Sequence, residues 1–156
     1  VVVTDSADLY EKLFYNLNTT GAVLSPFDSY QLIRGLKTLS LRMERSTANA
    51  QEIVAFLEQS PAVKEVLYTG RGGMISFKVA DEKRIPHILN TLKVFSFAES
   101  LGGVESLITY PTTQTHADIP AEVRHSYGLT DDLLRLSIGI EDARDLIEDL
   151  RQALEG

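Results

Sequence analysis

The stretch LLRLSIGIEDARDLIEDLRQAL, residues Leu133 to Leu154, decides the fold. Its first part alternates as a half-buried strand does, and the apolar face carries Leu134, Leu136 and Ile138. Its second part has helical spacing from about Asp142, the expected cap, and its apolar face carries Leu146, Ile147, Leu150 and Leu154. A strand that leads directly into an amphipathic helix indicates an α/β domain.

The N-terminal segment predicts a strand followed by a helix. The β-branched residues of Val1 to Thr4 favour a short buried strand. Asp5 or Ser6 then caps a helix, because either side chain can accept from a free backbone N–H group. The sequence NTTGAVLSP ends this helix at Gly21 and Pro26.

The remaining segments complete the predicted sheet and its helices. A helical region runs from about Pro26 to Gln59, and Gly35 indicates a break or a close contact within it. A shorter helix is expected where Ile85, Ile88, Leu89 and Leu92 share one face. The other predicted strands are Val63 to Leu67, Met74 to Ala80, KVFSFA and SLITY. This order predicts a small, mostly antiparallel sheet covered by helices on one face.

Composition excludes several classes of function. The 156 residues carry a formal net charge of −7, which does not favour binding to nucleic acid or to an anionic membrane. There is no cysteine, so disulfides and thiolate metal sites are excluded within this chain, and a reducing cytoplasm is the expected location. His87, His116 and His125 do not share a ligand spacing, and we therefore predict no metal site.

Arg135 is the first candidate for a site. It stands in the middle of the apolar strand LLRLSI, on the face opposite Leu134 and Leu136. A buried guanidinium needs an anionic partner, because leaving the charge unpaired is costly. That partner is either an acidic residue of the chain or the carboxylate of a substrate, which an arginine can bind with two hydrogen bonds.

Glu99 and Ser100 form the second candidate. They end the predicted strand KVFSFA and precede the double glycine Gly102–Gly103. Glycines let a backbone approach a ligand closely, so a strand end of this kind often contacts ligands. A simple turn or cap explains the same pattern, and the residues alone leave both interpretations open.

Three blocks of sequence together resemble one enzyme family. They are Leu24–Met43 (LSPFDSYQLIRGLKTLSLRM), Ala98–Pro120 (AESLGGVESLITYPTTQTHADIP) and Leu133–Leu154. The family is that of the Cys/Met-metabolism (trans-sulfuration) enzymes, which depend on pyridoxal 5′-phosphate. The resemblance is strongest to its cystathionine γ-synthase and O-acetylhomoserine-using members. It implies the smaller C-terminal domain of the aspartate-aminotransferase-like fold, known as fold type I.

The resemblance also implies roles for individual residues. Arg135 matches the arginine that holds the α-carboxylate of the amino-acid substrate. Ser100 and the backbone of Leu101 match positions beside that carboxylate. Glu99 matches a position that faces the substrate side chain, and glutamate there resembles γ-synthases and γ-lyases. No catalytic residue is expected in this chain, because no lysine stands in the family's Ser/Thr-x-x-Lys motif, whose lysine forms the Schiff base.

The resemblance finally implies how the chain fits into a larger protein. Residues 1–25 would be a remnant of the cofactor-binding domain and its linking helix, and 26–156 the substrate domain. The parent would convert O-acylhomoserine and cysteine to cystathionine, or act as a cystathionine γ- or β-lyase, and would form a homotetramer. The isolated chain is expected to bind no cofactor stoichiometrically and to be inactive. It would then be a non-catalytic assembly domain, and we expect it to form a dimer. The VLYTGRGGMISF connection is shorter than is usual in the family.

Overall fold

The computed structural model describes residues 2–156. The chain divides into two compact units, one up to Leu39 and the other Ser40–Gly156. The predicted division at residue 25 concerns a larger protein and stays a prediction. None of the described helices is both long and apolar enough to cross a membrane.

The first unit contains two helices, α1 (Ala7–Thr20) and α2 (Pro26–Leu36). Ser6 is the cap of α1, and its hydroxyl accepts a hydrogen bond from the Leu9 N–H group at 3.3 Å. Gly21 ends α1 in the left-handed region, with φ +66°, where glycine carries no steric penalty. The predicted start and end of this helix are therefore confirmed.

The predicted strand at Val1 to Thr4 is wrong for the residues that the structure describes, and Val1 itself lies outside them. Val2 and Val3 are 71% and 90% exposed and belong to no strand. A strand needs a neighbour to satisfy its backbone groups, and residues 2–39 form no strand that could pair with it. The β-branched residues favour an extended strand, but a strand also needs a neighbouring strand to pair with.

The second unit contains most of the regular structure. The predicted long helical region breaks at Lys37 and Thr38, close to Gly35, and resumes as α3 (Leu39–Leu57). The later helices are α4 (Ile85–Thr91), α5 (Ala121–Ser126) and α6 (Ala143–Glu155), with a 3₁₀ turn at Glu82–Arg84. The strands are β1 (Val63–Leu67), β2 (Met74–Val79), β3 (Ser96–Phe97), β4 (Leu107–Thr109) and β5 (Leu133–Ser137). No sequence pattern predicts the short helix α5.

The five strands form one sheet in the order β1-β2-β5-β4-β3. All neighbouring strands are antiparallel except β3 and β4, which are parallel. Strand β5 lies at the centre, and the register places Arg135 opposite Ser76 of β2 and Thr109 of β4. The predicted mostly antiparallel sheet is confirmed.

Helices α3, α4 and α6 supply the hydrophobic core on one face of the sheet. The alternation of β5 buries Leu134 and Leu136 completely in this core. Core residues from the helices are Ala50, Ile53, Leu57, Ile85, Ile88, Leu146, Leu150, Ala153 and Leu154. The opposite face carries Arg135 and its register partners, so the fold presents these polar side chains away from the helical layer.

The acidic residues of α6 do not all face solvent, although their large number favours a solvated face. Asp142 caps the helix as predicted, and hydrogen bonds from the Arg144 side chain hold the pKa of its carboxyl well below the ordinary value. Asp149, in contrast, is only 5% exposed. Its carboxylate accepts hydrogen bonds from the backbone N–H groups of Lys93, Val94 and Phe95. The many acidic residues of GIEDARDLIEDL favour a solvated helix face, and Asp149 departs from that expectation.

Candidate functional site

The candidate site is built around Arg135 at the centre of the sheet. Its Nη2 group donates to the backbone carbonyl of Glu99 and to the hydroxyl of Thr109, each at 3.1 Å. Strand β4 supplies Thr109 because the register places it directly opposite Arg135. The guanidinium is thus held from the β4 side of the sheet in one orientation.

Arg135 has no carboxylate partner within residues 2–156, where the described ion pairs all involve other cations. Its Nε atom is buried, and none of the described groups accepts a hydrogen bond from it. A buried donor without an acceptor is costly, and native proteins seldom leave one. The internal salt bridge considered for Arg135 is therefore not formed among the described residues.

Thr109 links the guanidinium to the backbone. This side chain is 1% exposed, and its hydroxyl donates to the carbonyl of Ala98 at 2.7 Å while accepting from Arg135. A hydroxyl can do both at once because it carries one donor and two lone pairs. Thr109 therefore fixes Arg135 against the segment that follows β3.

The segment Glu99–Gly102 forms a wall beside Arg135. The Gly102 N–H group donates to the Ser137 hydroxyl at 2.9 Å, and Gly102 has φ +76°, a conformation that favours glycine. Arg135 and Ser137 lie two residues apart and so share one face of β5. One strand thus holds the wall at both ends, by the carbonyl of Glu99 and the N–H group of Gly102.

The structure brings the four predicted site residues together in one region. Arg135 contacts the carbonyl of Glu99, and Ser100 and Leu101 follow in the wall, with Leu101 56% exposed. This placement is compatible with the implied substrate-binding roles, which stay predictions. Sequence reasoning missed Ser137 and Thr109. Alternation along LLRLSI would have shown Ser137 beside Arg135, but the choice of Thr109 depends on a register that no single strand reveals.

The three histidines have partners close in sequence, which are Thr91, Thr115 and Asp131. The closest pairing is between Thr115 and His116, at 2.7 Å from Oγ1 to Nδ1, and His125 lies 3.5 Å from Asp131. Across residues 2–156 no group of three or more histidine, aspartate or glutamate side chains is arranged to hold a metal ion.

Comparison with known proteins gives a consistent result. A sequence model described as "Cys/Met metabolism PLP-dependent enzyme" matches residues 1–155, where PLP stands for pyridoxal phosphate. A cystathionine γ-synthase/O-acetylhomoserine (thiol)-lyase from Bacillus subtilis is 56% identical over 154 residues, which are 99% of this chain and 41% of that protein. A cystathionine γ-lyase of the same organism is 50% identical over 171 residues, 99% of this chain and 45% of that protein.

A solved structure has the same fold. The crystal structure of a cystathionine γ-lyase from Micromonospora echinospora superposes with a TM-score of 0.91 at 36% identity, covering 99% of this chain and 45% of that one. The predicted small-domain α/β fold is confirmed by this likeness. The chain spans less than half the length of the relatives it matches.

Proposed function

Because the chain belongs to the Cys/Met metabolism family of PLP-dependent enzymes, we propose that Arg135 binds the α-carboxylate of an amino-acid substrate in a trans-sulfuration enzyme. The observation that carries this proposal is that the guanidinium of Arg135 pairs with no acidic side chain among the described residues, while the carbonyl of Glu99 and the hydroxyl of Thr109 hold its Nη2 group. A carboxylate suits a guanidinium well, because hydrogen bonds between two charged groups are among the stronger ones in proteins.

The described residues fit the substrate rather than the cofactor itself. Arg135 is the group prepared for an anion, and none of the lysines stands three residues after a serine or threonine. When bound, PLP supplies an electron sink for the bonds at the substrate α-carbon. The residues of this chain would contribute the position of the substrate, while the lysine that moves protons is expected elsewhere in the longer protein.

Binding at Arg135 would orient the substrate. The guanidinium is already fixed by Thr109 and by the carbonyl of Glu99, so little side-chain freedom is left to lose when a carboxylate binds. The exposed backbone of Ser100 and Leu101 would lie alongside the same carboxylate. Fixing this end of the substrate sets which of its bonds is presented for reaction, and orientation of this kind contributes strongly to rate.

Two features support a γ-synthase as the specific activity. Glutamate at position 99 resembles the γ-synthases and γ-lyases. The comparison with the synthase extends over 154 residues, whereas that with the lyase needs 171 positions for a chain of 156 residues, so at least 15 lyase positions have no counterpart here. The short VLYTGRGGMISF connection is where we expect the missing positions to fall.

The experiment is a product assay on the full-length protein that contains this chain. With PLP, it is given O-acylhomoserine and cysteine in one reaction and cystathionine alone in another. We expect cystathionine to be formed in the first reaction faster than it is consumed in the second. The alternative, a γ- or β-lyase, is also compatible with the motifs, and cleavage of cystathionine without any synthesis would establish it.

The partners and location of the protein are further proposals. We propose that the chain self-associates, as part of a homotetramer in the full-length protein and as a dimer when isolated. Support comes from the first unit, where large apolar side chains are exposed on both helices, including Tyr10, Phe14, Phe27 and Tyr30. The isolated chain would then be an assembly domain without catalysis of its own. The absence of cysteine favours a cytoplasmic location.

A further inference from the structure

We propose that Glu141 is a positioning residue for the wall Glu99–Gly102, acting through Ser106, and this inference rests on the function proposed for Arg135. The Glu141 carboxylate accepts from the backbone N–H group of Ser106 at 2.6 Å and from its hydroxyl at 2.9 Å. Hydrogen bonds to a carboxylate are among the stronger ones in proteins. Glu141 therefore holds both donors of a serine that is completely buried.

Ser106 passes this restraint to the turn after β5. Its hydroxyl accepts from the Gly139 N–H group at 2.9 Å while donating to Glu141. The Ile140 N–H group donates to the carbonyl of Val104 at 2.9 Å. A Cβ atom on Gly139 would overlap that same carbonyl oxygen, so only glycine permits the approach. Four hydrogen bonds thus join segment 104–106 to segment 139–141, and we call these two segments together the clasp.

Asn49 of α3 attaches the clasp to the helical layer through the turn after β5. Its side-chain amide donates to the carbonyls of Gly139 and Glu141, at 3.2 and 2.9 Å, and the residue is 1% exposed. The turn that presents Glu141 is therefore attached to a helix of the core. The backbone from which the Glu141 side chain reaches Ser106 is thus held in place.

The clasp gives the wall its third attachment. Arg135 holds the wall at Glu99, Ser137 holds it at Gly102, and Glu141 holds the chain just beyond it at Ser106. Two of these attachments come from β5 and one from the turn that follows it. Loss of the attachment at Ser106 would let the wall shift relative to Arg135. The affinity for the substrate carboxylate would then fall.

The test compares two ligands that differ only at the carboxylate. In the full-length protein with PLP, competitive inhibition constants are measured for L-2-aminobutyrate and for its α-carboxamide. We expect the unsubstituted protein to favour the carboxylate. Glu141→Gln leaves one acceptor oxygen and turns an amide N–H₂ group toward a donor, so the preference should fall by roughly threefold to tenfold.

Two further variants separate positioning from stability. Glu148→Gln removes the same charge from an exposed side chain of α6 and should leave the preference unchanged. Ser106→Ala, which keeps the backbone bond to Glu141, should lower the preference less than Glu141→Gln does. It also tests the inference if Glu141→Gln fails to fold. A change that is only structural would lower the melting temperature and weaken both ligands equally.

The outcomes distinguish this inference from the proposed function. An unchanged preference in folded Glu141→Gln, or in Ser106→Ala where the first variant does not fold, would overturn the positioning role and leave Arg135 unaffected. Equal binding of carboxylate and carboxamide by the unsubstituted protein would instead overturn the carboxylate site, and the positioning role with it.

Discussion

Asp149 is a buried residue whose carboxylate stabilises the fold by accepting backbone hydrogen bonds. It accepts from three successive backbone N–H groups, at Lys93, Val94 and Phe95, and also from the Gln152 side chain at 3.1 Å. These bonds fix the chain just before β3, and β3 leads into Glu99. A single side chain of α6 therefore determines how the strand that precedes the wall enters the sheet.

Replacing this carboxylate should be costly. Asp149→Asn keeps one acceptor but turns an N–H₂ group toward backbone donors, and we expect the free energy of unfolding to fall by about 2–3 kcal/mol. Urea unfolding of the purified protein measures this difference. Asp118→Asn, at an exposed position in the loop after β4, is the matched control and should have little effect. Equal stability of the two variants would contradict the structural role.

Single residues show where the sequence is informative and where it is not. Arg135 could be identified because a charge inside an apolar strand is unusual, and its lack of an acidic partner then required the structure. Asp149 and Glu141 could not be recognised, because an acidic residue on an acidic helix or turn gives no local sign of a distant hydrogen-bond partner. Ser106, the partner of Glu141, lies 35 residues away, and Lys93, a partner of Asp149, lies 56 residues away, so both contacts depend on the tertiary fold.

At the level of elements, the periodicity of apolar residues predicted most helices and strands. It failed where strand formation depends on pairing with another strand. Strand β2 and helix α6 follow their patterns closely, since each has one face that is buried and one that is less so. The segment Val1 to Thr4 has strand propensity but no neighbouring strand. Helix α5 is too short, at six residues, to show a helical period. The parallel pairing of β3 with β4 involves only two residue pairs and has no sequence signature.

Helices α1 and α2 expose more apolar surface than a stable monomer normally does. Tyr10, Phe14, Tyr15, Phe27 and Tyr30 are each more than half exposed. An aromatic side chain can bury about 150–250 Å². Together with the exposed leucines, these five approach the roughly 800 Å² per partner that a stable interface buries.

We therefore expect the isolated 156-residue chain to sediment as a dimer or a larger species. Phe14→Glu should shift it toward the monomer, because a charge would be placed in the apolar surface. Val123→Glu, at a residue of α5 that is 50% exposed, is the matched control and should not change the association. Sedimentation velocity over a range of concentrations measures both. A chain that stays monomeric throughout would contradict the proposal.

For the whole molecule, the fold and the family could be predicted because three long blocks of sequence agree in one arrangement. The likeness to solved structures confirms the small-domain fold, and the family model covers residues 1–155. The specific activity could not be predicted with the same force. Synthases and lyases are both among the relatives that the chain matches, and it spans less than half the length of each.

The central claim is that Arg135 binds the substrate α-carboxylate. The most direct test is the KM for the amino-acid substrate in Arg135→Gln of the full-length protein, with cofactor content followed by absorbance. Removal of a buried charged partner should raise KM by roughly 100-fold or more while PLP stays bound. Arg144→Gln, an exposed arginine that pairs with Asp142, should leave KM unchanged. An unchanged KM in Arg135→Gln would contradict the account.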